Sequence, residues 1–411
     1  MKDSEINKLG KELELYTTID YIGKGFPIIL PKGSKIIKTI RNYVEDTLER
    51  NNYKNVRTPS ISNSQIYKIE DRYESEKDNL FLIKKEKKED TSNLENEVLV
   101  LKPYVEPFHC SIFREKQYSY KNMPVKYFET SEVFRNERNI KGIIRTRQIT
   151  LSDASVFCEY SKIKNELKNY LQIQSEILEK LKINEQMTYT ISNWDYERKE
   201  EYIGRVDEWN NCFEAMKNAL DELKIKYSVD KKAKMFGPSI TLKYDENVFS
   251  TLQIDFEITH RFDLKYTNKE NEPEVPIYFH AAAIGSYENL LSILIKRYKG
   301  AFPYYIAPIQ IIIVNDGEEF DDYTEKINKR LIELNIRTEI DYGKENKEEK
   351  AIKAINLKVP YVIEIGKKEL NTETITVDKI KETDSGNIKV EKKKYKIEDF
   401  IEEEINCQTK F

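Results

Sequence analysis

From Pro303 onward the sequence falls into a regular alternation, and this limits the fold more than any other feature. IAPIQIIIVND is an apolar run suited to a strand covered on both faces, and YTEKINKRLIELN has helical spacing. IRTEIDY is strand-like, KEEKAIKAINLK helical, and VPYVIEIG a second apolar strand. ITVDKI, NIKVEKK and an acidic helix, IEDFIEEEI, follow. Strands separated by helices of this length return parallel to one another, so the stretch predicts a small α/β unit with a partly parallel sheet. The boundary is set near 303, giving segments 1–302 and 303–411 of the 411 residues.

The first segment follows a different pattern. SKIIKTIRNYVEDTLERNN (34–52) places Ile36, Ile37, Ile40, Val44 and Leu48 at helical spacing. YKNVRTPSIS reads as a strand entering at Pro59. NLFLI and VLVLK are strand candidates on either side of the charged loop KKEKKEDTSNLENE. Residues 161–183 and 206–224 predict amphipathic helices, ITLKY and STLQIDFEI strands, and SYENLLSILIKRY a helix stopped by Gly300 and Pro303. The expectation is an α+β domain, a mainly antiparallel sheet with flanking helices.

Several function classes drop out on composition. No apolar run approaches the ~20 residues of a membrane helix, and the N-terminus has no apolar signal core, so a cytoplasmic protein is expected. Cys110, Cys158, Cys212 and Cys407 form no CxxC pair and are expected to be buried thiols. Three histidines, His109, His260 and His280, exclude a His-rich metal centre. A net charge of −4 argues against a general basic face for DNA.

FRNERNIKGIIRTRQ (134–148) sits between two strand-like segments, PVKYFETSEVF and ITLSDASVFCEY. Its fifteen residues hold Arg135, Arg138, Lys141, Arg145 and Arg147 beside a single carboxylate, Glu137. Guanidinium groups grip phosphate bidentately and stay charged at any working pH. Glu137 lies two residues after Arg135, hence on the same strand face, where it can accept from an exocyclic amine. That combination suits a nucleotide such as ATP. An exposed, salt-bridged hairpin explains the same charges.

Further motifs bear on this choice. PKG (31–33), a strand ending in Pro59, LKPYVEPFHCSIF, FRNE…RTR, FGPS, LQIDF and HAAAIGSYENLL occur in order. This series resembles the catalytic core of threonyl-tRNA synthetases, a class II family, and IAPIQIIIVND begins a segment resembling the family's anticodon-binding domain. The resemblance starts at the catalytic core, so a counterpart of the family's N-terminal editing region is not expected here. It implies a class II antiparallel sheet, an anticodon-binding-type α/β domain, ATP with Mg²⁺ as cofactors, and an amino acid and tRNA or a tRNA-like RNA as partners. It also implies a homodimer, with Pro59 matching the dimer motif. Arg135 and Arg145 match the phosphate-gripping arginines, Glu137 the adenine-amine acceptor, and Gln253 and Asp255 the strand under the nucleotide. Arg138 and Lys141 fall in the loop that approaches the tRNA end.

The chain departs from the family at the site itself. The family's zinc ligands, one Cys and two His, correspond to Glu106, Ser155 and His280, a poor donor set, so zinc is not expected. The other amino-acid pocket positions are Asp153, Ser239, Phe249 and Thr251, with Leu151 replacing a glutamine. A carboxylate can take over α-ammonium binding from zinc but not hydroxyl binding, so a substrate other than threonine is expected. Asn289 stands where the family has the arginine that grips the γ-phosphate, and Asp378 and Ile380 where it has anticodon-reading arginines. Two functions stay open: an ATP-dependent, adenylate-forming ligase with altered specificity, and an adenylation-defective paralogue that binds RNA or a regulatory partner.

Overall fold

A computed structural model describes residues 1–83, 98–382 and 388–408. The charged loop 84–97 lies outside the described residues. Contacts divide the chain into two compact units. One comprises Asp20–Pro27 and Arg41–Leu290; the other comprises Met1–Ile19, Ile28–Ile40 and Leu291–Phe411.

The larger unit is organised on an eight-stranded sheet. In chain order its strands are β1 (Lys54–Asn55), β2 (Val125–Phe134), β3 (Gln148–Cys158), β4 (Met187–Ser192), β5 (Tyr227–Asp230), β6 (Ser239–Tyr244), β7 (Asn247–Ile254) and β8 (Ile277–Ala282). They lie side by side as β5-β4-β6-β7-β8-β3-β2-β1. Every pairing from β4 through to β2 is antiparallel; only the outermost pairs, β5 with β4 and β1 with β2, are parallel. The sequence therefore predicted the character of this sheet correctly. Helix α1 (Pro31–Arg50) carries the expected buried stripe. Helix α2 (Glu106–Arg114) places Cys110 and Phe113 in a core with Tyr127, Phe157 and Tyr278 of the sheet. Each such side chain contributes roughly 1.5–3 kcal/mol on burial. Helices α3 (Ile163–Lys180) and α4 (Val206–Glu222) pack on each other, and both carry buried apolar faces.

Three expectations needed correction. STLQIDFEI is a strand only to Ile254; Asp255 accepts from the backbone N–H of Glu257 (2.9 Å) and Ile258 (3.0 Å) and so caps a short helix, α5 (Phe256–Arg261). The strand expected across Pro59 is two short pieces, β1 and Ile61–Asn63. Of the cysteines, Cys407 is exposed.

In the smaller unit, β9 (Ile311–Asn315) lies between β10 (Thr338–Asp341) and β11 (Tyr361–Ile365), parallel to both. β12 (Ile375–Glu382) and β13 (Ile388–Tyr395) extend the sheet antiparallel. Helices α7 (Asp321–Glu333) and α8 (Lys347–Asn356) explain the unbroken apolar run of β9, with α6 (Tyr287–Tyr298) preceding them in the chain. Ile311 and Ile313 face a core with Ile327 and Leu331 of α7, whereas Ile312 and Val314 face Ala351 and Ala354 of α8. A strand covered on both faces has no polar side to alternate. Asp378, which stands where the family has an anticodon-reading arginine, is 1% exposed and lies 3.4 Å from Lys392 Nζ. Burial and the adjacent Glu364 carboxyl push its pKa up to about 6. Its side chain therefore turns into the fold.

Candidate active site

The charged hairpin is β2 and β3, paired in continuous register from Val125↔Phe157 to Phe134↔Gln148. Arg135 N–H donates to the Arg147 carbonyl (2.9 Å), so the two arginine-bearing ends leave the sheet together. Gly142 takes the left-handed conformation (φ 59°) that the turn requires. Arg145 Nη2 donates to Glu137 Oε2 at 2.8 Å. Arg147 turns away, donating through Nε to the Glu137 carbonyl (3.1 Å). Arg138 reaches Asp78 at 3.4 Å with both side chains mostly in water, an ion pair that adds little to stability.

Beside the hairpin is a cavity of about 1080 Å³. Arg135, Glu137, Arg145, Gln253 and Asn289 all line it. So do Glu106, Asp153, Ser239, Phe249, Thr251 and His280. Residues from five separate stretches of chain thus converge on one opening. The glycines of FGPS and GSYEN make this possible. A Cβ on Gly237 would stand 2.0 Å from the Ile254 carbonyl, and one on Gly285 2.2 Å from that of Phe249. Both loops therefore lie directly on β7. Gln253 anchors the first of them, donating through Nε2 to the carbonyls of Gly237 (2.9 Å) and Ile254 (2.6 Å). Glu288 accepts from Thr150 N–H (3.0 Å) and Oγ1 (2.9 Å), fixing the start of α6 to β3 next to Asn289.

Two of the expected positions lie elsewhere. Ser155 does not line the cavity: its hydroxyl bonds His109 Nδ1 (2.8 Å) and Tyr278 OH (3.0 Å). It shares a strand face with Asp153 but sits ~6–7 Å further along, above α2 rather than the opening. Pro59 is exposed, next to the edge strand β1.

The end of the cavity around Glu106 and Asp153 is acidic. Glu106 Oε1 lies 2.8 Å from His280 Nδ1. Burial alone would raise the Glu106 pKa, but His280 and Arg135 outweigh it and hold the carboxyl at about 2. Asp153 is pushed the other way, to about 7, by burial and by the negative charge of Glu106.

Two residues that motif reasoning missed share this end. Glu70 is 1% exposed, with Oε2 accepting from Tyr104 OH at 2.9 Å and Oε1 meeting no hydrogen-bond partner among the described residues. Arg72 donates through Nη2 to Asp255 Oδ2 (2.5 Å) and stacks over Phe236, 3.8 Å from the ring centroid. Glu70 and Arg72 stand two apart in KIEDRY, an unremarkable surface-type sequence. Only the pairing of Arg72 with a residue 183 positions away marks it.

A buried polar network supports the floor. Lys102 Nζ lies 2.9 Å from Glu129 Oε1, with the side chains 0% and 2% exposed. Glu129 also accepts from Thr58 N–H (3.0 Å) and Oγ1 (2.7 Å). Its pKa would be raised by burial, yet the nearby His109 ring (3.7 Å) and hydrogen bonds from Lys102 and Thr58 hold it at about 2. Lys102 is one residue before Pro103, whose carbonyl accepts from Arg135 Nε at 3.0 Å.

The donor set does not fit a protein-bound zinc ion. The Ser155 hydroxyl is committed to His109 and Tyr278, and Glu106 to His280. Among the described residues no group of three or more His, Cys, Asp or Glu is placed to hold a metal. No helix among them is long and apolar enough to cross a membrane.

Comparison with known proteins agrees with this geometry. Residues 87–298 match the tRNA synthetase class II core domain (G, H, P, S and T), and residues 309–402 an anticodon binding domain. A threonine–tRNA ligase of Clostridium botulinum is 35% identical over 95% of this chain and 61% of its own length. The chain thus spans about three-fifths of that relative. The RNA binding domain of threonyl-tRNA synthetase from Cryptosporidium parvum superposes with a TM-score of 0.87 at 21% identity, covering 98% of each chain. A putative threonyl-tRNA synthetase from Aeropyrum pernix gives 0.81 at 22% identity, over 94% of this chain and 90% of its own. Both share the fold. The chain belongs to the class II tRNA synthetase family, with a class II core joined to an anticodon-binding domain, and within that family it is similar to threonyl-tRNA synthetases.

Proposed function

We propose that the protein is an adenylate-forming ligase that binds ATP with Mg²⁺ and an amino acid, and passes the acyl group to tRNA or a related RNA. The supporting observation is the convergence of Arg135, Glu137 and Arg145 with Glu106 and Asp153 on one cavity. In this reading Arg135 and Arg145 grip phosphate, Glu137 accepts from the adenine amine, and Mg²⁺ arrives with the triphosphate. The amino-acid carboxylate attacks the α-phosphorus; a new O–P bond forms, and the bond to pyrophosphate breaks. Positioning and charge stabilisation carry this step without a protein nucleophile. Asp153 and Glu106 receive the α-ammonium. Threonine read through zinc is not the substrate, because the residues present do not supply its ligands.

The segments 1–302 and 303–411 act as catalytic and RNA-binding portions of a cytoplasmic homodimer. Pro59 lies at the edge that would be shared, where exposed Ile61 adds apolar surface. Asn289 favours the second reading, an adenylation-defective RNA-binding paralogue, since a neutral amide lines the cavity where the family has an arginine. Calorimetric titration with ATP and Mg²⁺, followed by pyrophosphate exchange across the amino acids, decides between them. No nucleotide binding removes the ligase reading; exchange with threonine alone removes the altered specificity.

A further inference from the structure

The orphaned oxygen of Glu70 bears on what the cavity holds. A carboxyl that is 1% exposed and offers Oε1 to no donor among the described residues is costly to keep unless something else answers it. Its other oxygen is already met by Tyr104 OH (2.9 Å), and both residues line the cavity. The nearby cation does not supply the missing partner. Arg72 is turned to Asp255 at 2.5 Å, with Glu257 at 3.9 Å, and its guanidinium lies flat on Phe236. Glu106 and Asp255 add negative potential at Glu70, which Arg72 and the Tyr104 hydroxyl oppose. The unanswered group in this corner is therefore a carboxyl oxygen, which an amine can meet. Asp153 and Glu106 line the same cavity, Glu106 paired with His280.

We propose that the cavity takes an amino acid with a second amine on its side chain, the α-ammonium meeting Asp153 and the side-chain amine meeting Glu70. This rests on the adenylation reading and narrows its substrate to the α,ω-diamino acids. A bound amine would complete Glu70 with a charge-assisted hydrogen bond, the stronger kind in a partly dry site.

The test is calorimetry on the full chain. ATP with Mg²⁺ is titrated first. Then 2,3-diaminopropionate, 2,4-diaminobutyrate, ornithine and lysine are each compared with a monoamino acid of matched length. At least one diamino acid is expected to bind about tenfold or more tighter than its counterpart. E70Q is expected to weaken that ligand by about 10- to 100-fold while changing the monoamino acid little. Equal or weaker binding of every diamino acid by the wild-type protein overturns the inference, with no variant needed. So does an E70Q effect equal for both ligand types. ATP binding without any diamino preference sinks this inference alone; absence of ATP binding sinks the ligase reading itself.

Discussion

Arg145 Nη2 sits 2.8 Å from Glu137 Oε2, so two of the residues proposed to hold ATP are bonded to each other in the hairpin. Nucleotide binding would exchange this ion pair for contacts to phosphate and adenine. The pair is partly exposed, 51% and 26%, so breaking it costs little. R145A should weaken ATP binding by about tenfold or more, since it removes a charged contact. E137Q should lower affinity for ATP more than for a nucleotide lacking the exocyclic amine. Fluorescence or calorimetric titration measures both; unchanged ATP affinity in R145A would refute the assignment.

Asn289 offers a gain-of-function test. It lines the cavity next to Glu288, which Thr150 fixes in place. N289R would put a guanidinium where the family carries one. Pyrophosphate exchange is expected to rise by about tenfold or more, the scale of a single electrostatic donor. A fall in exchange would mean that the cavity is already complete with an amide.

Glu70 links ligand capture to stability, and the direction depends on pH. Burial, the largest cause, raises its folded pKa to about 8 from 4.5, with Glu106 adding to the shift against the attraction of Arg72. The folded state therefore holds this proton more tightly than the unfolded one. Stability is lost as pH rises from about 4.5 to about 8 and is constant above. E70Q removes that loss. The ligand-free variant should be more stable than wild type by about 1–3 kcal/mol near pH 8.5 and nearly equal to it near pH 4.5. Thermal melts at the two pH values test this; a variant destabilised at both would mark Glu70 as structural.

The pair Lys102–Glu129 should behave in the opposite sense. Glu129 is held at about 2, below its ordinary 4.5, by hydrogen bonds that outweigh burial. Its contribution is present above pH 4.5 and fades as pH falls toward 2. K102M leaves a buried carboxylate without its cation, at a cost of about 3–5 kcal/mol, whereas K102M/E129L should cost less than the single change. Urea denaturation of both variants measures this; additive losses would mean the two side chains act independently.

The sequence by itself determined the two kinds of sheet, the main helices and the identity of the hairpin. Periodicity is a local property: the apolar run of β9 and the stripe of α1 record directly how many faces are covered. The motif residues Arg135, Glu137, Arg145 and Asn289 were legible through the resemblance of their ordered motifs to a known family; the charges alone left an exposed salt-bridged hairpin open as well. Tertiary structure decided the rest. STLQIDFEI alternates polar and apolar residues past the strand's end, and only the capping bonds of Asp255 show where strand ends and helix begins. Ser155 was separated from Asp153 by strand rise, a distance that motif matching does not contain. Glu70 and Arg72 became part of the site only through burial and through Asp255, far away in the chain. The electrostatic character of a carboxyl depends on which neighbours the fold brings within a few ångströms, and Glu70, Glu106 and Asp153 acquire three different characters in one cavity.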